Sequence, residues 1–204
     1  MSPRVVVVVL SLLASGCITR AGGGLAPIEV EPAGPPVSIE QTVGDFAFTL
    51  EGGKLVSSQR IGRLLNQQML GRWKKQGLIA DESFVESSRF SGKADYNLTL
   101  GGRQFGDSNV ALQVLSGLTL FLIPYTVDTR MDLRFTLEDV KTGVKYDAAV
   151  SDSYRTTVEL FLMFAAPVAT RGQQKTINAM ADHLYHQLQQ AGAFSGRGSV
   201  PATP

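Results

Sequence analysis

From Val127 to Leu137 the chain alternates without a break. Thr129, Met131, Leu133, Phe135 and Leu137 fall on one side, and Asp128, Arg130, Asp132, Arg134 and Glu138 on the other. A period of two belongs to a strand, and this division belongs to one with a buried face and a wet face. Lys141-Thr142-Gly143 then supplies a turn, with Gly where a positive φ is needed. Val144, Tyr146, Ala148 and Val150 form the returning strand. An antiparallel hairpin is therefore the frame to which the rest must be fitted. The alternating charges read as cross-strand and diagonal surface pairs, each contributing a few tenths of a kcal/mol, and not as catalytic groups.

Other segments add to this frame. Phe46, Phe48 and Leu50 alternate with Asp45, Ala47 and Thr49 before Gly52-Gly53, which predicts a short strand. Ser57 and Ser58 precede a helical stretch to about Gln76, with Ile61, Leu64, Leu65, Met69 and Trp73 on one stripe and Gly77 to end it. Its polar face, with Arg60, Arg63, Gln67, Lys74 and Lys75, reads as solvated. Residues 83–90 form a weakly patterned strand. Tyr96, Leu98 and Leu100 alternate against Asp95, Asn97 and Thr99. A last helix from Gln173 to Gln190 carries Ile177, Met180, Ala181, Leu184, Tyr185 and Leu188, and Gly192 ends it. The expected fold is α+β: an antiparallel sheet of about four strands with two helices packed on one face.

The expected domain spans residues 42–194. Before it, residues 17–41 are rich in Gly and Pro with no apolar period, which reads as a flexible tether. After it, residues 195–204 (SGRGSVPATP) read as a disordered tail. Residues 1–16 have the order of an export signal: one basic residue, Arg4, an apolar run from Val5 to Ala14 broken only by Ser11, then Ser15 and Gly16. The run is shorter than the roughly 20 residues of a membrane span. The segment LLASGC resembles the lipobox of bacterial lipoproteins, with Leu13 one place earlier than usual and Ala14 in its stead. That resemblance implies cleavage before Cys17 and acyl chains (palmitate among them) on this cysteine; no cofactor is expected. Cys17 is the chain's one cysteine, so no intramolecular disulfide competes for it. Ile18, where Asp would favour inner-membrane retention, points to the periplasmic face of the outer membrane.

The segments ADYNLTLGG (Ala94 to Gly102) and MDLRFTLEDVKTG (Met131 to Gly143) resemble the paired strands of LpoB, CsgG and TolB amino-terminal lipoprotein-type domains. The helix ending KKQGLI fits the same plan, and the likeness covers about a third of the chain. It implies a non-catalytic binding or assembly factor for an envelope protein machine. A long apolar insert between the two strands departs from that pattern.

The insert is one of two apolar runs, residues 110–125 (VALQVLSGLTLFLIPY) and 158–168 (VELFLMFAAPV). Neither is long enough to span a bilayer as a helix. The strand order puts both at the end of the sheet opposite the Lys141–Gly143 turn. Two readings stay open: loops that extend the core, or an exposed tip of Leu118, Leu120, Phe121, Leu122, Ile123, Phe161, Leu162, Met163 and Phe164. An exposed tip would mark a membrane or protein contact, and a lipid-contacting role in lipid transport or membrane maintenance.

The chain carries 19 Lys and Arg against 18 Asp and Glu, with no run of like charge, which argues against nucleic acid as a partner. His183 and His186 lie three apart on the last helix, off its apolar stripe and without a third ligand at standard spacing, so they read as surface residues and not as a metal site. No nucleophile-elbow sequence or phosphate-loop spacing is found, and the chain is not expected to be an enzyme.

Overall fold

The computed structural model describes residues 16–50, 53–86, 89–119, 122–159 and 171–195. The expected signal peptide before residue 16 and the tail after Ser195 lie outside them. In chain order the elements are β1 (Gly16–Ala21), β2 (Val37–Leu50), β3 (Val56–Ser57), α1 (Gln59–Lys75), β4 (Ile79–Phe84), β5 (Tyr96–Ser108), α2 (Val110–Leu118), β6 (Tyr125–Asp139), β7 (Lys145–Glu159) and α3 (Arg171–Gln190).

The hairpin is as the alternation requires. β6 and β7 pair antiparallel from Tyr125↔Val158 to Glu138↔Lys145, and Gly143 at the turn has φ +70°. Thr129, Met131, Leu133, Phe135 and Leu137 are all buried. On the wet side, Asp128 faces Arg155 in register and holds it by two bonds of 2.6 and 2.9 Å.

The sheet is larger than expected and mixed. It has seven strands in the order β1-β7-β6-β5-β2-β3, with β4 also on β2. β2 runs parallel to both β4 and β5, so a wholly antiparallel sheet of about four strands is corrected. The β2–α1–β4 crossover makes the parallel pair possible, since parallel neighbours need a long connection. Both helices predicted by the sequence, α1 and α3, lie on one face and enclose the core against it. A third helix, α2, takes the place expected for a loop at the sheet's end.

Helix ends follow local chemistry. The Ser58 hydroxyl accepts the Ile61 N–H and caps α1. At the other end Gly77 adopts φ +72°, and the Gly77 and Leu78 amides return to the Lys74 and Trp73 carbonyls. α3 ends in the same way at Gly192. The predicted stripe on α1 is rotated: Leu65, Met69 and Trp73 are buried with Gly62, Asn66 and Leu70, while Leu64 is exposed. The six residues read as the apolar stripe of α3 are all buried.

The expected tether is not a free linker. Residues 16–21 form β1 on the edge of the sheet, in antiparallel register with β7 from Gly16↔Glu159 to Ala21↔Tyr154. Residues 22–36 then cross α3 as a strap. The Gly22 amide bonds Ser153 O, Gly24 N bonds Asp152, His183 Nε2–H donates to Ala26 O at 2.9 Å, and the Tyr185 hydroxyl accepts Ala33 N–H. Leu25, Val30 and Ala33 pack on the core. Gly22 and Gly24, which read as looseness, serve close approach: a Cβ there would meet Ser153 O at 2.6 Å and Asp152 Oδ1 at 2.7 Å. His183 is thus a strap contact on α3, not a bare surface residue.

Candidate functional site

The register defines two ends of the sheet. One end holds the Lys141–Gly143 turn and the starts of β2 and β5. At the other end β5 leaves into α2, β6 begins and β7 finishes, with Ser108, Val127 and Thr156 in one row. Cys17 belongs to this second end. It faces Val158, which faces Tyr125 in turn. Two strand spacings of about 4.8 Å separate the Cys17 backbone from that of Tyr125. The lipidation candidate and the return from the first apolar run therefore sit at one level, roughly 10 Å apart.

α2 forms because Asn109 caps it, its side chain accepting the Leu112 N–H at 3.1 Å. Its polarity is inverted. At 3.6 residues per turn Val110, Val114 and Leu118 fall in one row, with Ala111 and Leu115 beside it. All five are exposed, Leu118 to 77%. On the opposite side Ser116 is fully buried, with no partner for its hydroxyl among the described residues, and Gln113 donates to Ser108. Leu122, after the helix, is 53% exposed, and Ile123 is half-buried. An ordinary surface helix does the opposite, since full burial of a Val or Leu side chain is favourable by about 1.5–3 kcal/mol. No Asp, Glu, Lys or Arg occurs from Val110 to Pro124.

Of the residues expected at the apolar tip, Leu118, Leu122 and Ile123 are thus brought to this end. Leu120 and Phe121, and Phe161, Leu162, Met163 and Phe164 of the second run, lie outside the described residues, as does the Cys17 side chain. The sequence reading missed that residues 110–118 are helical. Asn109 followed by apolar residues three and four apart was the signal.

A second surface is the sheet face not covered by helices. A groove of about 890 Å³ runs across β2, β5, β6 and β7 there, lined by Asp45, Leu55, Gly101, Arg103, Arg134 and Ala149 among others. Gly101 and Ala149 stand on either side of Arg134 in register, and their small size leaves the hollow. Gly102 beside them has φ +143°, and a Cβ there would meet Asp132 O at 2.3 Å, so only glycine fits this turn of the strand. Asp132 faces Arg103 in register but accepts from Arg130 Nε at 3.2 Å and from Ser151 instead.

Among the described residues no group of three or more His, Cys, Asp or Glu is placed to hold a metal ion, and no helix is long and apolar enough to cross a membrane. His186 on α3 is half-buried.

Neither a protein-family model nor a curated protein matches the chain. Solved structures of similar shape include a Xanthomonas campestris protein of the DUF330 family, at 13% identity, covering 86% of this chain and 98% of its own, with a TM-score of 0.45. A PelC dodecamer subunit from Paraburkholderia phytofirmans is 16% identical over 81% of this chain and 99% of its own, TM-score 0.34. A protein described as a candidate lipoprotein, from Caulobacter crescentus, is 20% identical over 74% of this chain and 92% of its own, TM-score 0.33. At such identities and scores the likeness assigns no family.

Proposed function

We propose that this chain is a lipid-anchored protein of the bacterial cell envelope that acts as a non-catalytic binding or assembly factor for an envelope protein machine. The observation that carries this reading is the position of Cys17. It lies on the edge strand at the end of the sheet from which the exposed apolar helix projects. Acyl chains on Cys17 hold that end at the bilayer with no tether between. The open-face groove lies on the sheet beyond that end and is left accessible to a protein partner. The outer membrane's periplasmic face is the proposed location, from Ile18.

The test is metabolic labelling of growing cells with an alkyne-bearing palmitate analogue. Wild-type protein takes up the label and fractionates with membranes, and Cys17→Ser does neither. Equal labelling of the two would refute the anchor. For the partner, a photo-crosslinking residue at Ala149 in the groove gives a discrete adduct to one envelope protein, and the same residue at Thr142 does not. Loss of site dependence would remove the groove from the reading.

The exposure of α2 favours a second reading, in which contact with lipid is itself the task, in lipid transport or membrane maintenance. Transfer of labelled phospholipid between vesicles, accelerated by the protein and slowed by Leu118→Asp, distinguishes it from the first.

A further inference from the structure

We infer that α2 is a second membrane anchor, an in-plane helix seated at the boundary of headgroups and acyl chains, which fixes the orientation of the domain. The inference rests on lipidation at Cys17 and goes beyond it, because an acyl anchor alone leaves a domain free to tumble. Three observations choose the bilayer as the surface that covers α2. The row Val110, Val114, Leu118 points outward while Ser116 points in, so the helix is built for apolar surroundings on its outer side. No formal charge interrupts residues 110–124, whereas a protein interface ordinarily has a polar rim around its apolar core. The helix also lies at the end of the sheet that carries the Cys17 backbone, to which Tyr125 is linked in register through Val158.

The geometry sets the mode of contact. Nine residues make a helix about 13 Å long, which cannot cross a hydrocarbon core of about 30 Å. Seated in the interface, it buries its outer row to a depth of roughly 5–10 Å. With Cys17 and α2 both engaged, the sheet has two fixed points roughly 10 Å apart or more, enough to hold the strands at one tilt and the groove at one height. Because the helix has no basic residues, its seating does not depend on anionic lipid.

The experiment uses the full, lipidated protein. With the Cys17 sulfur acylated, a cysteine introduced elsewhere is the one free thiol. An environment-sensitive fluorophore is placed at Val114→Cys, Leu118→Cys or, as control, Thr142→Cys at the far end. The proteins are reconstituted into phosphatidylethanolamine–phosphatidylglycerol vesicles, with and without brominated acyl chains. The expected result is blue-shifted emission at 114 and 118, quenched at least threefold more by bromine than at 142, and unchanged when phosphatidylglycerol is lowered. Emission at 114 and 118 that matches 142, in protein that still floats with vesicles, overturns the inference. So does a shielded but unquenched probe, which would place a second copy or another protein on α2. Failure of the anchor reading looks different: a free Cys17 thiol then takes the fluorophore in the protein without an added cysteine. A Val114→Ser/Leu118→Ser variant, altered only at exposed positions, keeps the fold and lowers the quenching at a Leu122→Cys probe.

Discussion

Arg72 on α1 grips Asp182 on α3 through two parallel bonds, Nε to Oδ1 at 2.7 Å and Nη2 to Oδ2 at 2.6 Å. The Asp182 side chain is only 4% exposed, that of Arg72 29%. Hydrogen bonding to the Asp182 carboxylate, against desolvation and with the help of its charge, raises the Arg72 pKa, so the guanidinium stays charged. A two-point pair of this kind fixes the rotation of one helix against the other as well as their distance. Arg72→Ala strands a buried carboxylate, and the expected cost is about 3–5 kcal/mol. Replacing both partners by Met and Leu restores most of it. Urea unfolding followed by Trp73 fluorescence measures both; a single-variant loss below about 1 kcal/mol would show that water reaches Asp182.

Trp73, the one tryptophan, sits where the two helices and the sheet meet. Its ring stands edge-on to Phe135 at 5.7 Å and to Tyr185 at 5.4 Å, and its indole N–H donates to the Ala181 carbonyl at 2.9 Å. Trp73→Phe keeps most of the packing but loses the donor and leaves a gap. A loss of about 1–3 kcal/mol is expected, read by circular dichroism during urea unfolding. Wild-type emission should be strongly blue-shifted, because the ring is fully buried.

Two neighbouring acids on β4 respond to pH with opposite sign. Burial raises the Glu82 pKa, with Lys74 opposing and the Asp81 charge adding to it. The Lys74 ammonium, at 2.7 Å, lowers that of Asp81. The folded state holds the Glu82 proton more tightly than the unfolded chain does. The stability this gives is fully present below the ordinary Glu range and is lost as pH rises through the raised value. The Asp81 contribution is present above the ordinary Asp range and is lost as pH falls through its lowered value. Glu82→Gln keeps an acceptor for the Gln41 amide and removes the first effect. The variant should be more stable than wild type at pH 7, by less than about 1 kcal/mol for so partly exposed a group, and lose that advantage near pH 3. Thermal unfolding at the two pH values decides it.

The elements legible in the sequence are those with one buried face and one wet face. β6, β7 and α3 show their periods because Met131, Phe135, Val150 and Leu184 face the core while their neighbours face water. The first half of β2 hides its period because both of its faces are used. Ile39 and Val43 pack inward, while Glu40 accepts the Ser91 N–H at 2.5 Å and Thr42 donates to Val85 O at 3.0 Å. With Glu40 and Gln41 both buried, polarity no longer marks a side. β1 is six residues long, too short for a pattern to stand out. The exposed end was legible as composition, but its helix only through the Asn109 cap and the apolar spacing after it, because α2 shows its apolar side and turns Ser116 inward. The open-face groove was not legible at all, since it arises from small residues meeting across strands far apart in the chain.

The close seating of β1 on α3 makes the last prediction, and it bears on the membrane. Gly172 lies so near β1 that a Cβ would stand 2.1 Å from Thr19 O and 2.6 Å from Arg20 Cα. Both atoms are backbone and cannot turn aside. Gly172→Val therefore drives β1 off the helix, while the strands from β2 to β7 keep their own register. The loss of stability is about 1–3 kcal/mol, the usual cost of overpacking. With the proposed lipid anchor at Cys17, a larger consequence follows. With β1 released, residues 17–36 become the loose tether that their Gly and Pro content suggests, some 25 Å across as a coil. Energy transfer from a donor at Thr142→Cys to acceptor lipids should become weaker and more dispersed in Gly172→Val. Protease should also cleave within residues 17–36 at least several times faster than in wild type. Unchanged transfer and cleavage would mean that β1 does not set the height of the domain above the bilayer.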